Sequence, residues 1–347
     1  RAATQGAIAM PSTDEQLHDQ VKGQTVVTQF LETVREHGDR RALRWLEGDD
    51  WKELTFAEVA DQAARLATGL AGLGVGHGDR VVLMMRNIPQ FHVADVAVLL
   101  CGATPVSIYN SSSPEQVEYL VNHSEAVVAV VEDIGFLERF LKVRSELPAL
   151  GSIVVLDDPD GLAPDDVLQA GSLFDNEPAD LVEAAQVCSP DHLATMIYTS
   201  GTTGPPKGAM LSHRNLLVTT DKLRRHFGLD RSNMEVVCYL PLCHVAERAF
   251  STVMHMMTGG KVNYAESIDT VQVNVREIAP SVFLGVPRIW EKLQQGILMR
   301  MQDATRLQRW AFERCLASGK ALFERTEQRD GQRTLGERLH FLLLWLL

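Results

Sequence analysis

Aromatic residues are scarce in this 347-residue chain, 6% against 45% hydrophobic residues in all, a balance ordinary for a soluble α/β protein. The five cysteines, Cys101, Cys188, Cys238, Cys243 and Cys315, have no metal-ligand spacing and are odd in number. That excludes a zinc module or a disulfide scaffold and reads as buried, reduced thiols in a cytoplasmic protein. Cys243 beside His244 is not read as a nucleophile–base pair, because adjacent residues on one segment point in different directions. No uninterrupted apolar run reaches the length that crosses a bilayer. The N-terminal apolar stretch is too short for a signal peptide, and its lack of an initial Met suggests an incomplete record of the chain. Positive charge is in deficit, with a formal net charge of −12, which argues against a general nucleic-acid binder. Any anion must be met by a local positive field, from a single lysine, backbone amides or a metal ion.

The chain itself is organised as alternating strands and helices. Residues 1–25 read as a flexible lead. A helix is expected over 26–38, then a hairpin over 45–56 turning at Gly48-Asp49-Asp50. Thr55-Phe56-Ala57-Glu58 has capping-box spacing and opens a helix running to Leu73. Gly74-Val75-Gly76-His77-Gly78-Asp79 follows a helix and precedes a strand, the wrong order for a dinucleotide fingerprint. Strands are expected at 81–85, 104–108, 126–132 and 153–156, with helices at 89–101 and from Ser113-Pro114-Glu115 onward. Residues 157–190, rich in Asp, Pro, Gly and Ala, read as loop and as the boundary between a first α/β subdomain (26–185) and a second (186–347). Further strands are expected near 193–198, 235–240, 261–265 and 281–286. There is no internal repeat and no low-complexity tract. Such alternation implies mainly parallel sheets with helices on both faces.

The run Tyr198-Thr199-Ser200-Gly201-Thr202-Thr203-Gly204-Pro205-Pro206-Lys207-Gly208 carries the most chemistry. An apolar stretch leads into it and a helix-like stretch, Ser212 to Val218, follows. A strand, a glycine-and-hydroxyl loop and a helix in that order present N–H groups and hydroxyls to phosphate oxygens. Lys207 adds a mobile point charge. The spacing is not that of a Walker loop. A second segment, Leu240-Pro241-Leu242-Cys243-His244-Val245-Ala246-Glu247-Arg248, follows a strand-like run. A third, Pro280-Ser281-Val282-Phe283-Leu284-Gly285-Val286-Pro287-Arg288-Ile289-Trp290-Glu291-Lys292, reads as a strand, a turn and an amphipathic helix.

The first run resembles the phosphate-binding signature of the adenylate-forming enzymes, which include acyl-CoA synthetases, peptide-synthetase adenylation domains and luciferases. The Leu-Pro-Leu-x-His segment resembles the next motif of that superfamily, and its His-Val-Ala-Glu-Arg form resembles long-chain fatty acyl-CoA synthetases. The third segment resembles the strand-turn-helix beside their acyl pocket. The resemblance runs from about Val26 to Lys292. It implies an α/β fold, the large N-terminal domain of such an enzyme, built as two α/β subdomains. The later motifs and the C-terminal domain of the family are absent from the chain as given, and on that ground the fragment alone is expected to lack catalysis.

By the same resemblance, ATP is held by Thr199, Ser200, Gly201, Thr202, Thr203, Gly204 and Lys207, with Thr199 also on Mg2+. His244 positions the acyl carboxyl, and Glu247, Gly285, Val286 and Pro287 border the acyl substrate. His244 is not assigned base work, since a carboxylate is already ionised at neutral pH. The implied reaction joins a fatty acid to AMP and then to coenzyme A. The resemblance allows peripheral membrane contact and a homodimer, and no nucleic-acid partner is expected. The alternatives are another adenylating enzyme, an aryl-CoA ligase or an acyl-AMP ligase, or, for the fragment alone, a non-catalytic nucleotide-binding or interaction domain.

Overall fold

The computed structural model describes residues 21–199, 204–229 and 234–327, with Thr334 and Gly336 beyond them. Most of the expected lead, the loop residues Ser200, Gly201, Thr202 and Thr203, and the terminal Phe341-to-Leu347 run lie outside the described residues.

The chain begins with α1 (Val26–His37), whose Thr25 cap accepts from the Thr28 amide. The hairpin β1 (Arg41–Glu47) and β2 (Asp50–Thr55) follows. Thr55 and Glu58 form the expected capping box at the start of α2 (Phe56–Gly72). Then come β3 (Arg80–Met84), α3 (Pro89–Leu100), β4 (Thr104–Ser107), α4 (Pro114–Ser124), β5 (Val128–Asp133), α5 (Ile134–Leu141) and β6 (Ser152–Asp157).

The stretch expected to be loop between 157 and 190 holds β7 (Leu168–Gln169), α6 (Ala170–Phe174) and α7 (Leu181–Ala185). These elements are too short to show a hydrophobic period, and α7 is set by its Asp180 cap, which accepts from the Val182 and Glu183 amides. Next are β8 (Leu193–Thr199), β9 (Lys207–Ser212), α8 (His213–His226) and β10 (Glu235–Cys238). A helical stretch runs as α9 (Val245–Glu247), a π-helical Arg248–Met254 and α10 (His255–Thr258). Next come β11 (Lys261–Tyr264) and α11 (Val271–Ile278).

Seven strands form one sheet in the order β7-β6-β5-β3-β4-β8-β9, parallel throughout except for β9. Four form a second, β10-β11-β1-β2, parallel except for the β1–β2 hairpin. The alternation of side chains puts a core on each face of the larger sheet. Val81 and Leu83 of β3 join a core with α2, α3 and the second sheet, while Val82 and Met84 join a core with α4 and α5. The expected α/β fold, mainly parallel with helices on both faces, is the observed one.

The sheets do not follow the expected division at 185/186. β8 pairs with β4 and β1 pairs with β11, so each sheet takes strands from both sides of that boundary. Strand pairing is non-local, and the acidic composition of 157–190 marks solvent exposure rather than a break between cores. The chain instead clusters as residues through Leu284 and Gly285 onward. The second unit contains α12 (Pro287–Gln302) and α13 (Arg306–Glu327).

One expected strand is not there. Residues 281–286 pair with β10 only through a single bridge, Val236 to Val282. Pro280 supplies no donor, and the Leu284 carbonyl accepts instead from the Tyr239 hydroxyl at 2.7 Å. Among the described residues no helix is long and apolar enough to cross a membrane.

Candidate phosphate loop and acyl-site loop

The phosphate loop joins β8 to β9 as an antiparallel hairpin, with Thr199 opposite Lys207 and Tyr198 opposite Gly208. The expected strand-loop-helix is therefore corrected to strand-loop-strand-helix. The helix begins one strand later, where Ser212 caps α8 by accepting from the Asn215 amide. Ser212 pairs with Leu193 at the far end of β8, about 20 Å from the loop by the rise of a strand. The amino end of α8 thus contributes no field at the loop, and the positive charge there is the Lys207 ammonium.

Thr199 and Lys207 are both exposed at the mouth of the hairpin. Among the described residues Lys207 makes no ion pair. Gly204 has φ +83 with open space where a Cβ would point, a conformation suited to glycine. At Gly208 a Cβ would lie 2.9 Å from Met196 Sδ and 3.4 Å from Tyr198 Cζ, so a bare backbone lets β9 close on β8.

Helix α4 braces both arms of the hairpin. The Tyr119 hydroxyl donates to the Pro206 carbonyl at 2.9 Å, and His123 Nδ1 lies 2.8 Å from the Tyr198 hydroxyl. Burial pushes the Tyr198 phenol up to about 12, so it stays neutral. Nothing in the periodicity of α4 distinguishes these two side chains from ordinary surface residues. If the hairpin holds ATP as the resemblance implies, Tyr119→Phe, which deletes one hydrogen bond worth about 1 kcal/mol, is expected to raise the KM for ATP roughly fivefold in the full-length protein. The KM for the acid should be unchanged, and initial-rate kinetics with each substrate varied in turn would check this.

His244 ends the second loop. It is exposed and caps α9 through Nδ1, which accepts from the Ala246 amide at 3.3 Å. A ring whose Nδ1 accepts carries its proton on Nε2 when neutral, leaving an outward N–H donor suited to a carboxylate oxygen. Burial pushes the Cys243 thiol up to about 12, which keeps it a thiol and agrees with rejecting a Cys–His nucleophile.

Glu247 is not an open substrate contact. Its side chain is 2% exposed, and its carboxylate accepts from the Leu240 amide at 3.0 Å and from the Ser251 hydroxyl. It braces the Leu240–His244 loop from beneath. Burial raises its carboxyl to about 7, well above the ordinary carboxylate range. A group whose proton is held more tightly when folded favours the fold below its unfolded pKa and loses that contribution as pH rises through the folded one. Glu247→Gln keeps an acceptor for Leu240, so it should be more stable than the parent at pH 8, by about 3 kcal/mol, and equal to it near pH 4. Urea melts at the two pH values test this.

Arg248 closes the Leu240–Arg248 segment. It is buried and donates to Asp95 of α3 at 2.7 Å and to the Ser107 hydroxyl at 3.1 Å. Ser107 sits beside Ile197 of β8. Since the Arg248 amide donates to the His244 carbonyl at 3.1 Å, the second loop is tied to the carboxyl edge from which the phosphate hairpin springs. Ligands of open parallel sheets bind outside that edge.

Gly285, Val286 and Pro287 form the start of α12, with Val286 as its cap and Pro287 in its first turn. The Trp290 indole donates to the Gly285 carbonyl at 2.7 Å, and a Cβ on Gly285 would lie 2.4 Å from that ring. These three residues belong to the second unit, whereas Lys207 and His244 belong to the first. Among the described residues no group of three His, Cys, Asp or Glu could hold a metal. The hairpin fits Mg2+ only in the form the resemblance implies, with one Thr199 hydroxyl and the remaining ligands from phosphates and water.

A family model described as AMP-binding enzyme matches residues 30–337. The chain belongs to the AMP-binding enzyme family. Within the family, the long-chain-fatty-acid–CoA ligase ACSBG2 of Xenopus laevis is 33% identical over 286 residues, 78% of this chain and 38% of that protein. The ligase ACSBG1 of Homo sapiens is 30% identical over 285 residues, 79% of this chain and 39% of that protein. The chain thus spans under two fifths of the length of these relatives. The fold is shared with the anthranilate CoA ligase AuaEII in complex with anthranoyl-AMP, at a TM-score of 0.69 and 22% identity over 77% of this chain and 50% of that one. It is shared as well with the N-terminal domain of FACL13 from Mycobacterium tuberculosis, at a TM-score of 0.67 and 21% identity over 78% of this chain and 65% of that one.

Proposed function

We propose that the chain supplies the phosphate loop and the acyl-site loop of a long-chain fatty acid–CoA ligase. The observation that carries the reading is the exposed Thr199–Lys207 hairpin mouth at the carboxyl edge of the larger sheet, to which Arg248 and Ser107 tie the loop bearing His244. In the proposed reaction a fatty-acid carboxylate oxygen bonds to the α-phosphorus of ATP, and the bond to pyrophosphate breaks. The thiol of coenzyme A then displaces AMP from the acyl-adenylate.

Lys207 would meet the charge of the phosphates with an ammonium that no carboxylate among the described residues neutralises. Thr199 would offer its hydroxyl to Mg2+, whose chemistry when bound is to offset phosphate charge. Ser200, Gly201, Thr202, Thr203 and Gly204 would complete the phosphate cradle. His244 would orient the carboxylate through Nε2–H and move no proton, since the nucleophile is already an anion. Gly285, Val286 and Pro287 would border the acyl chain.

The substrate class rests on the His244-Val245-Ala246-Glu247-Arg248 segment and on relatives named for long-chain fatty acids. The test is pyrophosphate release by the full-length protein with acids of graded chain length. Acids of about twelve to eighteen carbons should be adenylated fastest, within the reach of a deep apolar pocket. Faster adenylation of benzoate or of an amino acid would refute the assignment.

A further inference from the structure

We infer that Asn87 is a positioning residue for the acyl-site loop, a clamp between the carboxyl end of β3 and residues 240–242; the link to acyl binding rests on the proposed function. Asn87 lies three residues past Met84, the last of β3, and two before Pro89 opens α3. Its side-chain amide donates to the Leu240 carbonyl at 2.7 Å and accepts from the Leu242 amide at 3.3 Å. Its Nδ2 also approaches Cys238 Sγ at 3.4 Å, at the end of β10. One side chain thus engages the loop as a neighbouring strand would, with one donor and one acceptor across a separation of more than 150 residues.

The geometry assigns the clamp a task that Glu247 and Arg248 do not perform. Glu247 holds the Leu240 amide and Arg248 fixes the helix after His244, both from the C-terminal side. Asn87 holds the Leu240 carbonyl and the Leu242 amide to the end of β3, in the sheet that carries the phosphate hairpin. Leu242 is two residues from His244, so a shift of the loop away from Asn87 carries the imidazole with it. A displacement of about 1 Å at a reacting group is enough to cost activity.

Asparagine is required because both roles are used at once. Aspartate has the same shape but no N–H, and it would set a carboxylate oxygen against the Leu240 carbonyl. Alanine would remove both bonds without that repulsion. A residue that merely fills space would tolerate Asn87→Asp better than Asn87→Ala. The clamp gives the reverse order.

In the full-length protein, Asn87→Asp should lower kcat/KM for palmitate about tenfold, at least as much as Asn87→Ala, with the KM for ATP within twofold of the parent. Full acid kcat/KM in Asn87→Asp, or equal rises in both KM values, would overturn the clamp. If the unaltered protein activates no fatty acid, the proposed function falls while the clamp is still decided by amide hydrogen exchange. Peptides covering 239–244 should exchange faster in Asn87→Ala than in the parent chain, and unchanged exchange there would overturn it.

Discussion

Lys207→Ala is expected to lower ATP-dependent adenylation by the full-length protein by about ten- to a hundredfold, the effect of losing one charged phosphate contact. Lys207 is exposed at the first position of β9, opposite Thr199, and no ion pair among the described residues depends on it. The fold should therefore be unaffected, and the melting temperature of the variant should match that of the parent. With the amino end of α8 displaced to the far end of β9, that helix terminus does not share the work of meeting the triphosphate. Lysine is the positive charge that the hairpin presents. Pyrophosphate exchange unaltered in the variant would remove the hairpin from the active site.

Breaking the buried Asp95–Arg248 pair should have the largest effect on stability. Both side chains are almost fully buried, and they come from α3 and from the π-helical segment, far apart in sequence. Burial pushes the Asp95 carboxyl up and Arg248 opposes that push. Among the described residues, Asp95 Oδ2 and Arg248 Nε have no hydrogen-bond partner, so the pair is only partly satisfied. Removing one member leaves the other charge buried, which costs about 3–5 kcal/mol. Asp95→Ala should therefore lower the urea midpoint sharply, enough to threaten a fold whose whole stability is about 5–15 kcal/mol. The double change Asp95→Leu with Arg248→Met should recover most of the loss, because two apolar groups leave no orphaned charge. A single Asp95→Ala variant as stable as the parent would mean that the pair contributes nothing.

Local signals were readable where one residue sets one element. Thr55 with Glu58, Ser113 with Pro114, and the apolar strands of the larger sheet all fall where the sequence puts them. The expected loop motif and the His244 loop lie at the same sheet edge. What could not be read is non-local. β9 has six residues with no regular alternation, and only its pairing with β8 makes it a strand. Residues 281–286 carry strand-forming side chains yet find a single bridge. The resemblance puts Glu247 beside the acyl substrate, but its carboxylate is buried and taken up by Leu240 and by Ser251 one turn further on, a packing that no local spacing signals. Asn87, Tyr119 and Asp95 carry no spacing signal, since each acts on a partner more than eighty residues away.

The central claim is that the carboxylate itself attacks the α-phosphorus. Palmitate labelled with 18O in both carboxyl oxygens, ATP, Mg2+ and coenzyme A, incubated with the full-length protein, test it directly. Attack at the α-phosphorus makes one carboxylate oxygen the bridge to AMP, and displacement by the thiol leaves that oxygen on AMP. One 18O should therefore appear in the AMP phosphate and none in pyrophosphate. Label in pyrophosphate or free phosphate, or unlabelled AMP, would contradict the account.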